Sequence, residues 1–514
     1  MSKRTTYTRP CDSCSVRKVK CDLKTPCSRC VAHNLQCTNK RIRKKCGPKK
    51  IHDKTREAIK NLNEPESSPD QHFRQQQQQL QTDHFIPAFP LDKLLPSLNC
   101  YQTWYYGIWP VVSIAEITAR VAQNDVSAYA LACSISAAIL NQIAFISNNA
   151  LYCIPQNVKD LNFTGECIRA RTYMNYQFTP TLEVLLTSFF LHVAEVNRGS
   201  KAAGVLYLRE AITMAQVIGL HNESTYQSKP IAEAHRMRKI YFLLLVTERF
   251  MCLDDSIPVV LENSIREFSL NDEEYSVLIE GFKQLVRVFA IPLKSIFDNF
   301  IQLHNSKSMP PEAAGLLNKI QMELDSIRIS PIAPDIQKAN IMVSKYWMKA
   351  LTWKITRSNN LLDDFNVSLS VSYPLQMAKR FLFEIKELPL SSFESNGPGV
   401  GFKLLTMATG LIDSINLSGD STGFEYLQQI FDLISKLKNT EIILPRREYE
   451  QVKDALSKVQ TDLLFNSAQQ GGYISEVDSN GSLDAFFNDP RVFYPTGDAA
   501  APPNDPSFIP RYPS

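Results

Sequence analysis

Six cysteines fall within 27 residues near the start of this 514-residue chain, which holds twelve cysteines in all. Their spacing is C-x2-C-x6-C-x5-C-x2-C-x6-C, so one half-motif occurs twice, and its members are Cys11, Cys14, Cys21, Cys27, Cys30 and Cys37. A C-x2-C pair turns two thiolates toward one metal ion, and a third cysteine one short helix later approaches from another side. The pattern therefore predicts a metal–thiolate centre.

The ligand count favours two zinc ions over one. Two tetrahedral Zn2+ ions need eight ligand positions, and six thiolates fill them only if two sulfurs each bridge both ions. Because the half-motif repeats, we expect its equivalent members Cys11 and Cys27 to bridge. One ion then takes Cys11, Cys14, Cys21 and Cys27, and the other takes Cys27, Cys30, Cys37 and Cys11. The alternatives are a three-disulfide knot, an iron–sulfur site and two unrelated C-x2-C clips. The sequence shows no secretory signal, so we expect reduced thiols rather than disulfides.

These residues resemble the fungal Zn2Cys6 binuclear cluster transcription factors. The resemblance covers the six cysteines, the basic run between the second and third, and Pro26 just before the fourth. It implies two short helices around two zinc ions, the first of which enters the major groove of DNA at a CGG-like triplet.

The positive charge lies in the first half-motif. "SVRKVK" between the second and third cysteines carries three cations, whereas "VAHNLQ" in the second half carries none. Lys18 matches the lysine with which that family donates to guanine O6 and N7. The other expected DNA contacts are basic residues beside it, at the second helix and in the arm after the last cysteine: Arg17, Lys20, Arg29, Lys40, Arg41 and Arg43.

Charge is distributed unevenly along the chain. Residues 1–60 hold 18 Lys and Arg against four acids, which leaves 38 against 48 for the rest. A basic arm on an acidic body indicates an anionic partner, and double-stranded DNA is the first candidate. The run after the last cysteine is also typical of a nuclear localisation signal, so we expect a nuclear protein.

The sequence divides into five parts. Residues 1–38 form the cluster, and residues 39–63 a basic linker with a faint apolar stripe that leaves homodimerisation open. Residues 64–90 are a glutamine-rich disordered linker, and residues 91–460 one large all-α-helical regulatory domain. Residues 461–514 are an acidic, proline-rich disordered tail that suits coactivator binding.

Two segments of the body have clear helical patterns. In the first, apolar residues recur from Val205 to Ile218, and Gly219 is placed to end the helix. In the second, Leu375, Ala378, Leu382, Ile385 and Leu388 form a stripe between two prolines. "VSLSVSY" from Val367 alternates apolar and polar residues, and we predict an extended loop there.

The body also resembles known regulators. "REAITMAQVIGLHNES" and "EAHRMRKIYFLLLVTERFMCLDDSIPVVL" resemble the fungal-specific regulatory domain found with these clusters. "RIRKKCGPKK", "YQTWYYGIWPVVS" and "NDVSAYALACSISAAILNQI" are similar to the yeast maltose and sucrose utilisation activators. That resemblance implies control of α-glucoside genes and chaperone association. The aromatic set of the second segment (Tyr101, Trp104, Tyr105, Tyr106 and Trp109) suits core packing better than stacking on a sugar.

We therefore expect a zinc-dependent, sequence-specific RNA polymerase II transcription factor, an activator of maltose or sucrose genes. The chain has no H-E-x-x-H, no P-loop and no dinucleotide fingerprint, so we do not expect an enzyme. The most hydrophobic stretches are too short to span a membrane, and we expect no membrane partner. The main alternative is a zinc-thiolate protein that senses or stores metal. An enzyme fused to a zinc anchor is a third hypothesis.

Overall fold

The computed structural model describes residues 9–40, 85–148, 152, 154–255, 257–270, 275–301, 309–310, 312–438 and 444–470. The chain divides into two compact units, Met1–His84 and Phe85–Ser514. Every regular element in the described ranges is helical, so the predicted mainly α fold is confirmed. Most of the basic linker (41–63) and of the glutamine-rich linker (64–84), and the tail from residue 471, lie outside the described residues.

The first unit contains two short helices, α1 (Asp12–Val16) and α2 (Ser28–Ala32). The second unit begins with α3 (Leu91–Cys100), which continues into a π-helical turn (Tyr101–Tyr105). Its N-terminal half continues with α4 (Ile114–Ala122), α5 (Val126–Ile143), α6 (Gln156–Lys159), α7 (Phe163–Tyr173), a 3-10 turn (Tyr176–Phe178), α8 (Leu182–Asn197), α9 (Lys201–Ile218), α10 (Glu223–Gln227) and α11 (Ile231–Asp255).

The C-terminal half of the second unit is also helical. Its elements are α12 (Ser276–Ala290), α13 (Lys294–Ile301), α14 (Ala313–Ser326), α15 (Asp335–Ser358), a 3-10 turn (Val367–Leu369), α16 (Tyr373–Ile385), α17 (Leu390–Glu394), α18 (Gly399–Ser418), α19 (Gly423–Lys436) and α20 (Arg446–Gln470).

Several helices begin and end where local chemistry requires it. The Asp125 carboxylate accepts from the amides of Ser127 and Ala128 at 2.9 and 3.2 Å, which caps the start of α5. Helix α9 ends at Gly219, which takes φ +87°, as the sequence predicts. Glycine suits this position because a side chain there strains the left-handed backbone.

Two groups of three helices organise the second unit. Helix α8 packs against α5 and α9, and α15 packs against α18 and α12. Helix α5 is 18 residues long and apolar enough to span a membrane by length and composition, although the apolar stretches of the sequence were expected to be too short for this. In the structure, 78 % of the helix is buried inside the protein. That burial is typical of a core helix.

The aromatic set after α3 serves mainly as core. Tyr101 and Tyr105 are fully buried, and the Tyr105 ring stacks on Trp109 with a centroid distance of 5.5 Å. Trp104 is the exposed member at 41 %. The favoured core-packing interpretation therefore fits the two buried tyrosines.

Two local expectations differ from the structure. Residues 367–369 form a 3-10 turn and the chain enters α16 at Tyr373, so the extended loop predicted for this stretch is wrong. The Asn366 side chain accepts from the Ser368 amide at 3.2 Å, and this contact favours the turn. In α16 the buried face is centred on Phe381 instead of Leu382, which is half-buried.

Candidate metal centre and nucleic-acid interface

The two half-motifs adopt the same backbone conformation, displaced by sixteen residues. Each short helix begins directly after the first cysteine of its half-motif, Cys11 or Cys27. Four residues after the second cysteine, Lys18 and Asn34 both take left-handed backbone angles, with φ of +52° and +51°. The repeated sequence thus produces a repeated turn that brings the chain back toward the cysteine cluster.

The sulfurs of the first two cysteines of each half-motif meet in the centre. The Sγ atom of Cys11 lies 3.7 Å from that of Cys27 and 3.5 Å from that of Cys30. Cys14 Sγ lies 3.6 Å from Cys27 Sγ. A ZnS4 tetrahedron with Zn–S bonds of ≈ 2.3 Å has S···S edges of about 3.8 Å. These four side chains are at most 3 % exposed. The donor set therefore fits Zn2+ in type, spacing and shielding from water.

The third cysteine of each half-motif approaches the same central pair from the outside. Cys21 Sγ lies within 4.8 Å of Cys27 Sγ and of a carboxylate oxygen of Asp22. Cys37 Sγ accepts from the Cys27 amide at 3.4 Å. Both thiols are half-buried. The structure thus brings all six predicted ligands to one region, with Cys27 beside both outer thiols.

Asp22 has a structural partner that competes with any role as a metal ligand. Its carboxylate accepts from the Ser28 amide at 3.1 Å and so caps α2. This hydrogen bond lowers the pKa of Asp22 below its ordinary value, since the anion is the form that accepts. Sequence analysis did not single out this residue.

The thiols differ in how readily they lose their protons. Burial opposes ionisation of Cys27, but the Cys30 amide, which donates to its sulfur at 3.3 Å, lowers its pKa. The pKa of Cys11 is lowered in the same way, by the Cys14 amide against the effect of burial. Burial raises the pKa of Cys14 to about 12. The two thiols that most readily carry negative charge are thus those at the equivalent helix starts.

The cations of the first half-motif lie past α1, not on it. Helix α1 ends at Val16, Arg17 is its C-cap residue, and Lys18 and Lys20 follow in the turn. The first helix implied by the resemblance is therefore present, but it ends before Lys18 and Lys20. The left-handed residue at Lys18 ends the helix early, and the Val19 amide donates to the Cys14 carbonyl at 3.1 Å. All three cationic side chains are exposed.

The remaining predicted DNA contacts are more dispersed. Arg29 lies in α2 with its side chain exposed, and Lys40 is exposed at the last described residue of this unit. Arg41 and Arg43 lie outside the described residues. The structure therefore brings together Arg17, Lys18 and Lys20, and it leaves Arg29 and Lys40 on other segments.

Asp12 is a functional candidate that sequence reasoning missed. Its carboxylate accepts from the Lys40 amide at 2.6 Å and from the Thr38 hydroxyl at 3.0 Å. Its own amide donates to the Thr38 carbonyl at 2.8 Å. These bonds hold the start of the basic arm against the first turn of α1. The available signal was an acid directly after the first ligand in an otherwise basic stretch.

Comparisons with known proteins agree with this geometry. Residues 9–46 match the family described as the fungal Zn(2)-Cys(6) binuclear cluster domain, and residues 103–284 match the fungal specific transcription factor domain. A probable sucrose utilization protein of Candida albicans is 70 % identical over 510 residues, which is 99 % of this chain and 99 % of that protein.

The chain belongs to the fungal Zn(2)-Cys(6) transcription factors. More distant relatives of this Zn(2)-Cys(6) factor are also regulators. A maltose fermentation regulatory protein of Saccharomyces cerevisiae is 28 % identical over 417 residues, 79 % of this chain and 84 % of that protein. A respiratory transcription factor of the same yeast is 24 % identical over 449 residues, 84 % and 91 % of the two chains. The predicted resemblance is confirmed, and the Zn(2)-Cys(6) factor is related to transcription regulators, not to enzymes.

Proposed function

We propose that this chain is a zinc-dependent, sequence-specific DNA-binding activator of RNA polymerase II transcription that recognises CGG-like triplets. The observation that carries the proposal is the exposed group of Arg17, Lys18 and Lys20 in one turn. The backbone of this turn is hydrogen-bonded to the carbonyl of Cys14, one of the predicted zinc ligands. A rigid cationic turn beside a metal centre is suited to reading a groove, because base recognition needs fixed donor positions.

Two Zn2+ ions supply the fold of this unit. Cys11 and Cys27 would be the ligands shared by both ions, with Cys14 and Cys21 completing one site and Cys30 and Cys37 the other. The central S···S distances of 3.5–3.7 Å support this assignment. Because zinc binding needs thiolates, uptake releases protons and the fold of the cluster depends on metal and pH.

The DNA contacts divide by role. Lys18 donates to guanine O6 and N7, and Arg17 and Lys20 contact neighbouring phosphates or bases. Arg29 contacts phosphate from α2. Lys40, whose amide Asp12 holds near α1, begins the basic arm, and Arg41 and Arg43 continue it outside the described residues. The arm supplies affinity that weakens as salt rises, because bound phosphates release counterions.

The regulated genes are those of maltose or sucrose utilisation, and the factor acts in the nucleus. The support is the identity to a protein named for sucrose utilization and the similarity to proteins named for maltose fermentation. Coactivators, chaperones and a second copy of the chain stay predicted partners.

Competition binding with the zinc-loaded full chain tests the proposal. A labelled duplex with a CGG triplet is displaced by unlabelled duplexes in which single bases of the triplet are changed. We expect each change to cost about 1–3 kcal/mol of binding free energy in the wild type, and the change at the guanine that Lys18 contacts to cost much less in Lys18→Ala. Lys24→Ala is the matched control, because Lys24 is an exposed cation of the same unit to which we assign no base contact.

Two outcomes would overturn the proposal. Equal affinity for all duplexes at moderate salt would indicate a metal-sensing or metal-storing protein with nonspecific DNA affinity. Unchanged triplet selectivity in Lys18→Ala would remove the assigned reading residue.

A further inference from the structure

A partly open cavity of about 170 Å³ lies in the helical unit, between its N-terminal and C-terminal halves. By volume it has room for roughly six water molecules. Apolar side chains dominate its wall, and its polar lining includes Gln142, His192, Asn197, Thr247, Asn340, Asn396 and Lys403. Helices α5, α8, α11, α12, α15 and α18 all contribute to this wall.

Lys403 is the cation on this wall, and it is 8 % exposed. Its Nζ donates to the Ser344 hydroxyl at 2.8 Å and lies 4.9 Å from the ring centroid of Phe250 and 5.6 Å from that of Phe289. An ammonium has three donor hydrogens, and within the described residues no carboxylate acts on the charge of Lys403. Burial lowers the pKa of Lys403 to about 7.

Other buried lysines of the same unit are paired differently. Lys349 Nζ donates to the Asp325 carboxylate at 2.6 Å. Lys354 Nζ donates to the Thr409 hydroxyl at 2.9 Å, and the charge of Asp413 raises its pKa against the effect of burial. Lys403 has only burial acting on its pKa. A buried cation without an opposite charge is costly, and a bound anion would remove that cost.

Asn396 offers a second polar contact on the same wall. Its Nδ2 donates to the carbonyls of Ile336 and Ser392 at 2.9 and 2.8 Å. Its Oδ1 is buried without a hydrogen-bond partner. Asn396 thus belongs to an amide-rich part of the wall that also includes Gln142, Asn197 and Asn340 and suits a ligand that carries hydroxyl groups.

We propose that the cavity binds a small hydroxylated organic anion, a carboxylate or a phosphate monoester, with its charged group on Lys403 and its hydroxyl among the amide side chains of the wall. A molecule of roughly seven non-hydrogen atoms fits the volume, and a slightly larger one extends through the open side of the cavity. Because α8 and α11 face α18 across the cavity, the ligand stabilises the packing of the two halves by mass action. The proposal concerns the helical unit alone and does not depend on DNA recognition by the cluster.

Thermal unfolding of the zinc-loaded full chain tests this site. Glycerol 3-phosphate and L-malate represent the two anion classes, and glycerol is the neutral control for the first. We expect at least one anion at millimolar concentration to raise the transition temperature, with glycerol inactive. Lys403→Met abolishes the shift, whereas Lys354→Met, which removes a half-buried lysine outside the cavity, retains it.

A calorimetric measurement keeps the test independent of variant stability. The anion raises the pKa of Lys403, so binding takes up about half a proton at pH 7, and the heat of binding changes with buffer type. His192, the other titratable group on the wall, has its pKa lowered by burial to about 4 and stays neutral at this pH. A response to only one anion class supports the proposal and identifies the source. No response to either anion, or an unchanged response in Lys403→Met, overturns it.

Discussion

Lys18 combines two properties that separate substitutions can resolve. Its ammonium is assigned to guanine, and its backbone lies in the left-handed region with φ +52°. Lys18→Ala and Lys18→Gly both remove the ammonium, but only glycine also relieves the left-handed strain. That relief is about 1–2 kcal/mol. Glycine also lowers the unfolding free energy by about 0.4–1 kcal/mol, because it increases the entropy of the unfolded chain. The cluster of Lys18→Gly should therefore be about 1 kcal/mol more stable than that of Lys18→Ala.

Lys18→Gly should therefore separate the stability of the cluster from its recognition of DNA. In Lys18→Gly we expect the cluster to resist a zinc chelator better than in Lys18→Ala, while selectivity for the CGG triplet falls by about 1–3 kcal/mol in both. Asn34 occupies the equivalent left-handed position of the second half-motif, with φ +51°. Asn34→Gly is the matched control and should keep full triplet selectivity. Retained selectivity in Lys18→Gly, or a cluster less stable than that of Lys18→Ala, would refute the reasoning.

Three further predictions address other contacts. Asp12→Ala releases the start of the basic arm, so the affinity for DNA, measured by fluorescence anisotropy, should fall several-fold. The zinc content should stay unchanged. An affinity equal to that of the wild type would contradict the role of this contact. The hydrogen bonds from Arg238 lower the pKa of Glu223 to about 2, so their contribution is complete above the unfolded-state pKa near 4.5 and is lost as pH falls toward 2. Glu223→Gln should flatten the pH dependence of the unfolding free energy in that window, and an unchanged profile would contradict it. Gly219→Ala should cost about 1–2 kcal/mol of unfolding free energy, because alanine is strained at φ +87°. Gly315 lies in α14 with open space around it, so Gly315→Ala should raise the unfolding free energy by about 0.5–1 kcal/mol. Denaturant titration that reversed these signs would contradict the argument.

The sequence predicted the features that depend on neighbouring residues. The cysteine repeat indicated one metal centre, and the four inner sulfurs lie within 4.8 Å of one another. The apolar period from Val205 and the glycine at 219 gave α9 with its correct end. These signals are local, because helix period and helix termination are decided within a few residues.

Features that depend on distant contacts were not available from the sequence. Lys18 falls beyond α1 because a turn returns the chain to the cluster, and a lysine is not the residue expected in a left-handed position. Asp12 contacts residues 26 and 28 positions away. Lys403 becomes a buried, unpaired cation only when α18 packs against α15, where Ser344 lies 59 residues earlier. No periodic pattern encodes such pairs.

The zinc content of the purified full chain tests the central claim most directly. Two zinc ions bridged by Cys11 and Cys27 predict two equivalents per chain, with both lost in Cys27→Ser because that sulfur serves both sites. Cys133→Ser changes a fully buried cysteine of the helical unit and should keep two equivalents. One equivalent in the wild type, or one retained in Cys27→Ser, would contradict the bridged two-metal centre.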